Sequence, residues 1–139
     1  MPTSAKPKPK FAGSRFLARE LGILAFDRRV LAQAADRNTP LLERLRFLCI
    51  VSSNLDEFFE IRVAELMERV QMGWDFGHPD EKTPEQVLRE VSEQAHLLVS
   101  EQYRLLNEEI FPALAHEGIE FLAEAQWTQD QREWLQEYF

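Results

Sequence analysis

The stretch from Thr83 to Ile110 can form a long amphipathic helix and little else. Thr83, Pro84 and Gln86 supply a capping hydroxyl, a proline at the first helical position and the glutamine of a capping box. Behind them Leu88, Val91, Ala95, Leu98 and Leu105 recur at intervals that keep one face apolar. A single helix of this kind cannot bury its own stripe, so other segments must cover it.

The rest of the chain offers more helices. Leu24, Val30, Leu31 and Ala34 define a first one over about Leu21 to Ala35, and "DRNT" at 36–39 interrupts it. Thr39 then caps a second helix with Pro40 at its first position and Leu41, Leu45 and Leu48 facing inward. Its end, "FLCIV" at 47–51, is apolar all round, which suits a fully buried turn or a short strand. With no partner strand in view, the helix is preferred. A third helix is expected from Asn54 to Gln71, with Ser53 as N-cap, Glu65 and Arg69 paired at i, i+4, and Gly73 as its stop. Pro112 and Gly118 are expected to break the long helix, and Thr128 to cap a last one through Trp134, Leu135, Tyr138 and Phe139. The expectation is an all-α helical bundle with one long antiparallel spine helix. Residues 1–14, rich in Pro, Lys and Ser, read as a disordered basic tail before a helical domain at 15–139.

Charge narrows the function classes. Residues 1–46 hold ten Lys/Arg against four Asp/Glu, whereas 47–139 hold six against twenty. Such an acidic majority argues against a nucleic-acid surface. The longest apolar run is far too short to span a bilayer. The lone Cys49 fits a reducing compartment, the N-terminus has no secretory h-region, and the expected location is cytoplasmic.

Two polar residues are conspicuous in the third segment, "SSNLDEFFEIRVAEL" at 52–66. On a helical wheel Arg62 falls about 20° from Leu55, inside the apolar stripe. It must snorkel, pair with a carboxylate, or meet an anion. Asn54 sits at the expected N-terminal edge, where its amide either caps the helix or offers a donor and an acceptor to a purine edge. Cys49 is expected in the core. The tryptophans read as packing residues. His78, His96 and His116 have no metal-ligand spacing with one another or with Cys49, and the chain lacks a glycine-rich phosphate loop.

The blocks "RELGILAFDRRVLAQA" at 19–34 and "PLLERLRFLCIVSSNLDEFFEIRVAEL" at 40–66, with the ending "WLQEYF", resemble the N-terminal domain of bacterial polyphosphate kinase. The resemblance implies a family that reversibly transfers the terminal phosphate of ATP to polyphosphate through a phosphohistidine, with Mg2+. It implies that Asn54, the asparagine of the S-S-N-L-D-E-F pattern, contacts the nucleotide. It assigns no role to Arg62, which stays a possible anion contact. No histidine here matches the family's phosphorylated one, so no catalytic residue and no metal ligand are expected in this chain. Mg2+ and polyphosphate would be held by other domains, and the isolated chain would be inactive. The alternative is a stand-alone helical interaction or dimerisation module, and a homo-oligomer is possible under either reading. Two departures from the family pattern stand out: Gly22-Ile23 where it has Ser-Trp, expected to change locally how the first helix starts, and Asp27 where it has Asn.

Overall fold

A computed structural model describes residues 18–73 and 82–139. The expected tail at 1–14, Trp74 and His78 lie outside them. Helix α1 spans Arg19–Ala35, α2 Leu41–Glu57, α3 Ala64–Met72, α4 Pro84–Leu105, α5 Phe111–His116 and α6 Gln129–Tyr138. Two π-helical segments, Phe58–Val63 and Leu106–Ile110, join α2 to α3 and α4 to α5. The chain therefore builds two long rods, 41–72 and 84–116, where the sequence suggested one spine.

The rods explain why three helix boundaries differ from expectation. Ser53 and Asn54 do not start a helix; they lie inside a continuous one. Cap-type side chains favour a helix start only weakly, and here tertiary burial outweighs them. The buried residues run Leu48, Val51, Leu55, Phe58, then Val63 and Leu66. The step from Phe58 to Val63 is five residues. In a regular α-helix that step would swing Val63 away from the stripe, and the wider π turn brings it back. The same step separates Leu105 from Ile110, across the second π segment. That second wide turn lies just before Pro112, whose ring would clash with the Glu108 carbonyl in a regular helix. The helix therefore passes Pro112 and stops at Gly118, which has φ +82°. Gly73, at φ +63°, ends the first rod as expected.

Boundaries elsewhere hold within a residue or two. The second helix has Pro40, not Thr39, at its N-cap. The capping box at Thr83 forms as read, with Gln86 completing it, and the expected cap at Thr128 proves to be a capping box with Gln131. Helix α1 begins at Arg19 and passes Gly22 unbroken, against the expected change at its start.

Polar contacts give the directions of the three main helices. Ala34 meets Arg44 and Asp27 meets Asn54, so α1 and α2 run antiparallel. Arg28 meets Gln94 and Arg37 meets Glu109, so α4 runs parallel to α1. The core lies between them. It is built from Leu24, Leu31 and Ala34 of α1, the α2–α3 residues above, and Val91, Ala95, Leu98, Leu105, Ile110 and Leu114 of the second rod. Cys49 and Ile50 point to solvent, so the "FLCIV" turn is not buried on every side and Cys49 is no core residue. Trp134 is also exposed and stacks on Tyr138, 5.1 Å between ring centres.

A part-buried ion pair involves Arg44, which shares the stripe of Leu48 and Val51 and is 7% exposed. Its Nε donates to the Ala34 carbonyl at 2.6 Å, and Nη2 donates to Glu109 Oε2 at 2.9 Å. The guanidinium thus satisfies a carbonyl in the last turn of α1 while tying α2 to the second π segment. The hydrogen bond from Arg44, with help from Arg104 and Arg37, holds the Glu109 carboxyl below the usual carboxylate range. Its stabilising contribution is present at neutral pH and lost as acid protonates it.

Removing Glu109 leaves a buried cation with one neutral partner. Glu109→Ala is expected to lower unfolding free energy by about 3 kcal/mol. The double variant Arg44→Met, Glu109→Leu should regain part of that loss, because the buried cation goes with its partner while the Ala34 carbonyl loses its donor. Urea denaturation of the chain checks this, and a single-variant loss under about 0.5 kcal/mol would contradict it.

Candidate functional site

Where α1 crosses the end of α2 and the first π segment, a groove of about 270 Å3 opens. Ile23, Phe26 and Asp27 form one wall. Asn54, Glu57, Phe58, Ile61 and Arg62 form the other. Each wall follows from local structure. On α1, Ile23 and Phe26–Asp27 are three or four residues apart and share a face. On the rod, Asn54, Glu57–Phe58 and Ile61–Arg62 repeat in the same way. The π turn matters here: it buries Phe58 edge-on to Phe59, ring centres 5.6 Å apart, and turns Phe59 outward, although regular spacing had placed Phe59 in the stripe.

Asp27 lies at the bottom of the groove with 0% of its surface exposed. Its Oδ1 accepts a hydrogen bond from Asn54 Nδ2 at 2.7 Å. Its Oδ2 is buried and has no partner among the described residues. Burial pushes the Asp27 carboxyl above its ordinary value, and the bond from Asn54 offsets part of that rise. Asn54 itself is half-buried. It sits mid-helix, so its backbone offers no free N–H groups, contrary to the expected helix-edge position. Its side chain nevertheless lines the groove.

Arg62 is at the groove rim with 30% of its side chain exposed. It pairs with Glu65 at 3.2 Å, so Glu65 turns to Arg62 and not to the expected Arg69. Of the three alternatives open to it, the structure realises a partly exposed ion pair. The arginine that is buried is Arg44, and the sequence carried a signal for it: Arg44 lies four residues before Leu48, on the same stripe. Asp27 had a signal too, being a carboxylate three residues after Leu24 and four before Leu31.

Neither His96 nor His116 joins the groove. His96 is exposed and its Nδ1 meets the Ser92 carbonyl at 2.7 Å. His116 is exposed at the end of α5. Among the described residues no three His, Cys, Asp or Glu side chains converge as a metal cluster. These residues do not fit the Mg2+ that the resemblance implies. Among the described residues no helix is long and apolar enough to cross a membrane.

The family profile described as "Polyphosphate kinase N-terminal domain" matches residues 16–122, which takes in the whole groove. The chain belongs to the polyphosphate kinase N-terminal domain family. The polyphosphate kinase of Neisseria meningitidis serogroup B is 51% identical over 126 residues, covering 91% of this chain. That of Burkholderia cenocepacia is 52% identical over 123 residues, covering 88%. The chain spans 18% of the length of each. A crystal structure of polyphosphate kinase from Porphyromonas gingivalis matches with a TM-score of 0.70 at 31% identity, over 89% of this chain and 17% of that one. The all-α bundle of this polyphosphate kinase domain is therefore seen both in its own helices and in a solved relative.

The raised Asp27 pKa has a definite sign. A carboxyl whose folded-state pKa lies above its unfolded value loses stability as pH rises through that interval, because the buried charge then has to form. Asp27→Asn removes the charge and keeps an acceptor for Asn54. The variant's melting advantage over wild type should be smallest in acid and grow as pH rises past the ordinary carboxylate range. Melting curves of both proteins across pH check this, and a difference independent of pH would contradict it.

Proposed function

We propose that this domain supplies one wall of the nucleotide pocket of a polyphosphate kinase, which reversibly transfers the terminal phosphate of ATP to polyphosphate through a phosphohistidine. The observation that carries the proposal is Asn54: a half-buried amide, hydrogen-bonded at one proton, facing an open groove beside Phe26 and Ile61. Apolar side chains there can cover a base while the amide reads its polar edge. Arg62, on the rim, can exchange its exposed partner Glu65 for an anionic group of the ligand.

Phosphoryl transfer itself needs a nucleophile, cationic clamps and a metal around the moving group. In this proposal those come from other domains, where Mg2+ and polyphosphate are held, and the domain alone is inactive. Its contribution is to bind and orient ATP. The exposed Phe26, Phe59 and Ile61 around the groove then form the surface that those domains close upon.

In the polyphosphate kinase polypeptide that carries this domain, Asn54→Ala should raise KM for ATP about tenfold and change kcat little, since it removes ground-state and transition-state binding equally. Arg62→Gln should have a smaller effect in the same direction. Steady-state kinetics against ATP concentration checks both, and an unchanged KM for Asn54→Ala would discard the nucleotide-pocket role.

A further inference from the structure

We propose that Asp27 is a positioning residue that locks the side-chain amide of Asn54 in one orientation and thereby makes the groove selective for adenine over guanine. The inference rests on the nucleotide reading of the groove. It concerns a residue that the family pattern leaves as a departure.

A terminal amide can turn over, exchanging its donor and acceptor ends at little cost when neither is held. Here it is held. Asp27 Oδ1 lies 2.7 Å from Asn54 Nδ2, and as a carboxylate oxygen it can only accept from it. Turning the amide over would set its carbonyl oxygen against the Asp27 oxygen, two acceptors face to face in a site shut off from water. The lock belongs to the ionised carboxylate: a protonated carboxyl has a donor as well as an acceptor and meets the amide either way round.

The fixed orientation decides what Asn54 presents. One Nδ2 proton is spent on Asp27. The other remains available, and the carbonyl oxygen takes no partner among the described residues. A donor and an acceptor side by side match an adenine edge, where the exocyclic amine donates and a ring nitrogen accepts. Guanine puts a carbonyl oxygen where adenine has its amine. With the amide free to turn, either base could be met. With Asp27 holding it, guanine meets an acceptor.

The test compares ATP and GTP in the polyphosphate kinase polypeptide. Asp27→Leu keeps the branched shape, with bulkier methyl groups for the oxygens, and removes the acceptor. It should cut the ATP-to-GTP ratio of kcat/KM about five- to tenfold. Asp27→Asn keeps the size and shape of the side chain, but its own amide can offer Asn54 either end, so it should lower the ratio as well. A purely structural role would move melting temperature and leave the ratio alone, so an unaltered ratio in folded Asp27→Leu overturns the inference. If Asn54→Ala is itself silent toward ATP, the pocket reading falls first. If Asn54→Ala acts and Asp27→Leu does not, the positioning role alone falls. Should Asp27→Leu fail to fold, the wild-type chain decides by NMR: a coupling through the hydrogen bond from Asn54 Nδ2 to the Asp27 carboxyl carbon supports the lock, and a freely rotating Asn54 amide refutes it.

Discussion

A carboxyl group with no access to water sits where α1 crosses α2, and one hydrogen bond, from Asn54, compensates it. Burying such a group costs stability, and a second oxygen left without a partner adds to the cost. A site of this kind is held in place by everything around it. Leu24 and Leu31 anchor α1 on either side of Asp27, and Val51, Leu55 and Phe58 anchor the rod on either side of Asn54. At the far end of the same hairpin, Arg44 closes the turn by holding the Ala34 carbonyl and Glu109. The two polar contacts together fix the register between α1 and α2, and that register creates the groove.

The wide turns are the second constraint. Each rod changes its buried face by one residue partway along, at Phe58–Val63 and at Leu106–Ile110. In the first rod the change places Ile61 and Arg62 on the groove and turns Phe59 to solvent. In the second it brings Glu109 to Arg44 and lets the helix continue through Pro112. Wide turns of this type are rare and concentrate where a helix must present side chains out of its regular phase.

The helical class, the capping box at Thr83, the cap at Thr128 and the stop at Gly73 were legible because each rests on local chemistry. So was the family, through the ordered block around Asn54. The boundary at Ser53 was not, because three cap-type residues in a row look like a start when burial on the opposite face is unseen. The interval of five apolar positions was present in the sequence, from Phe58 to Val63 and from Leu105 to Ile110, but it carries meaning only once the flanking stripes are known to be buried together. Arg44 and Asp27 were hidden for a related reason: a charged residue on an apolar stripe reads as snorkelling or as an oddity until its partner, Glu109 or Asn54, is placed on another helix. Of the two family departures, Gly22 leaves the helix unchanged, whereas Ile23 and Asp27 both line the groove. The departures therefore bear on the pocket more than on the fold.

The whole account turns on Asp27 being shut away from water and tied to Asn54. Carbon-detected NMR of the carboxyl group, followed as pH is changed in the intact chain, measures this directly. The expected result is a Asp27 titration displaced upward from the ordinary carboxylate range, with the Asn54 side-chain amide signals moving at the same midpoint. An Asp27 that titrates at the ordinary value, while the Asn54 amide stays indifferent to it, would contradict the buried contact and the groove built upon it.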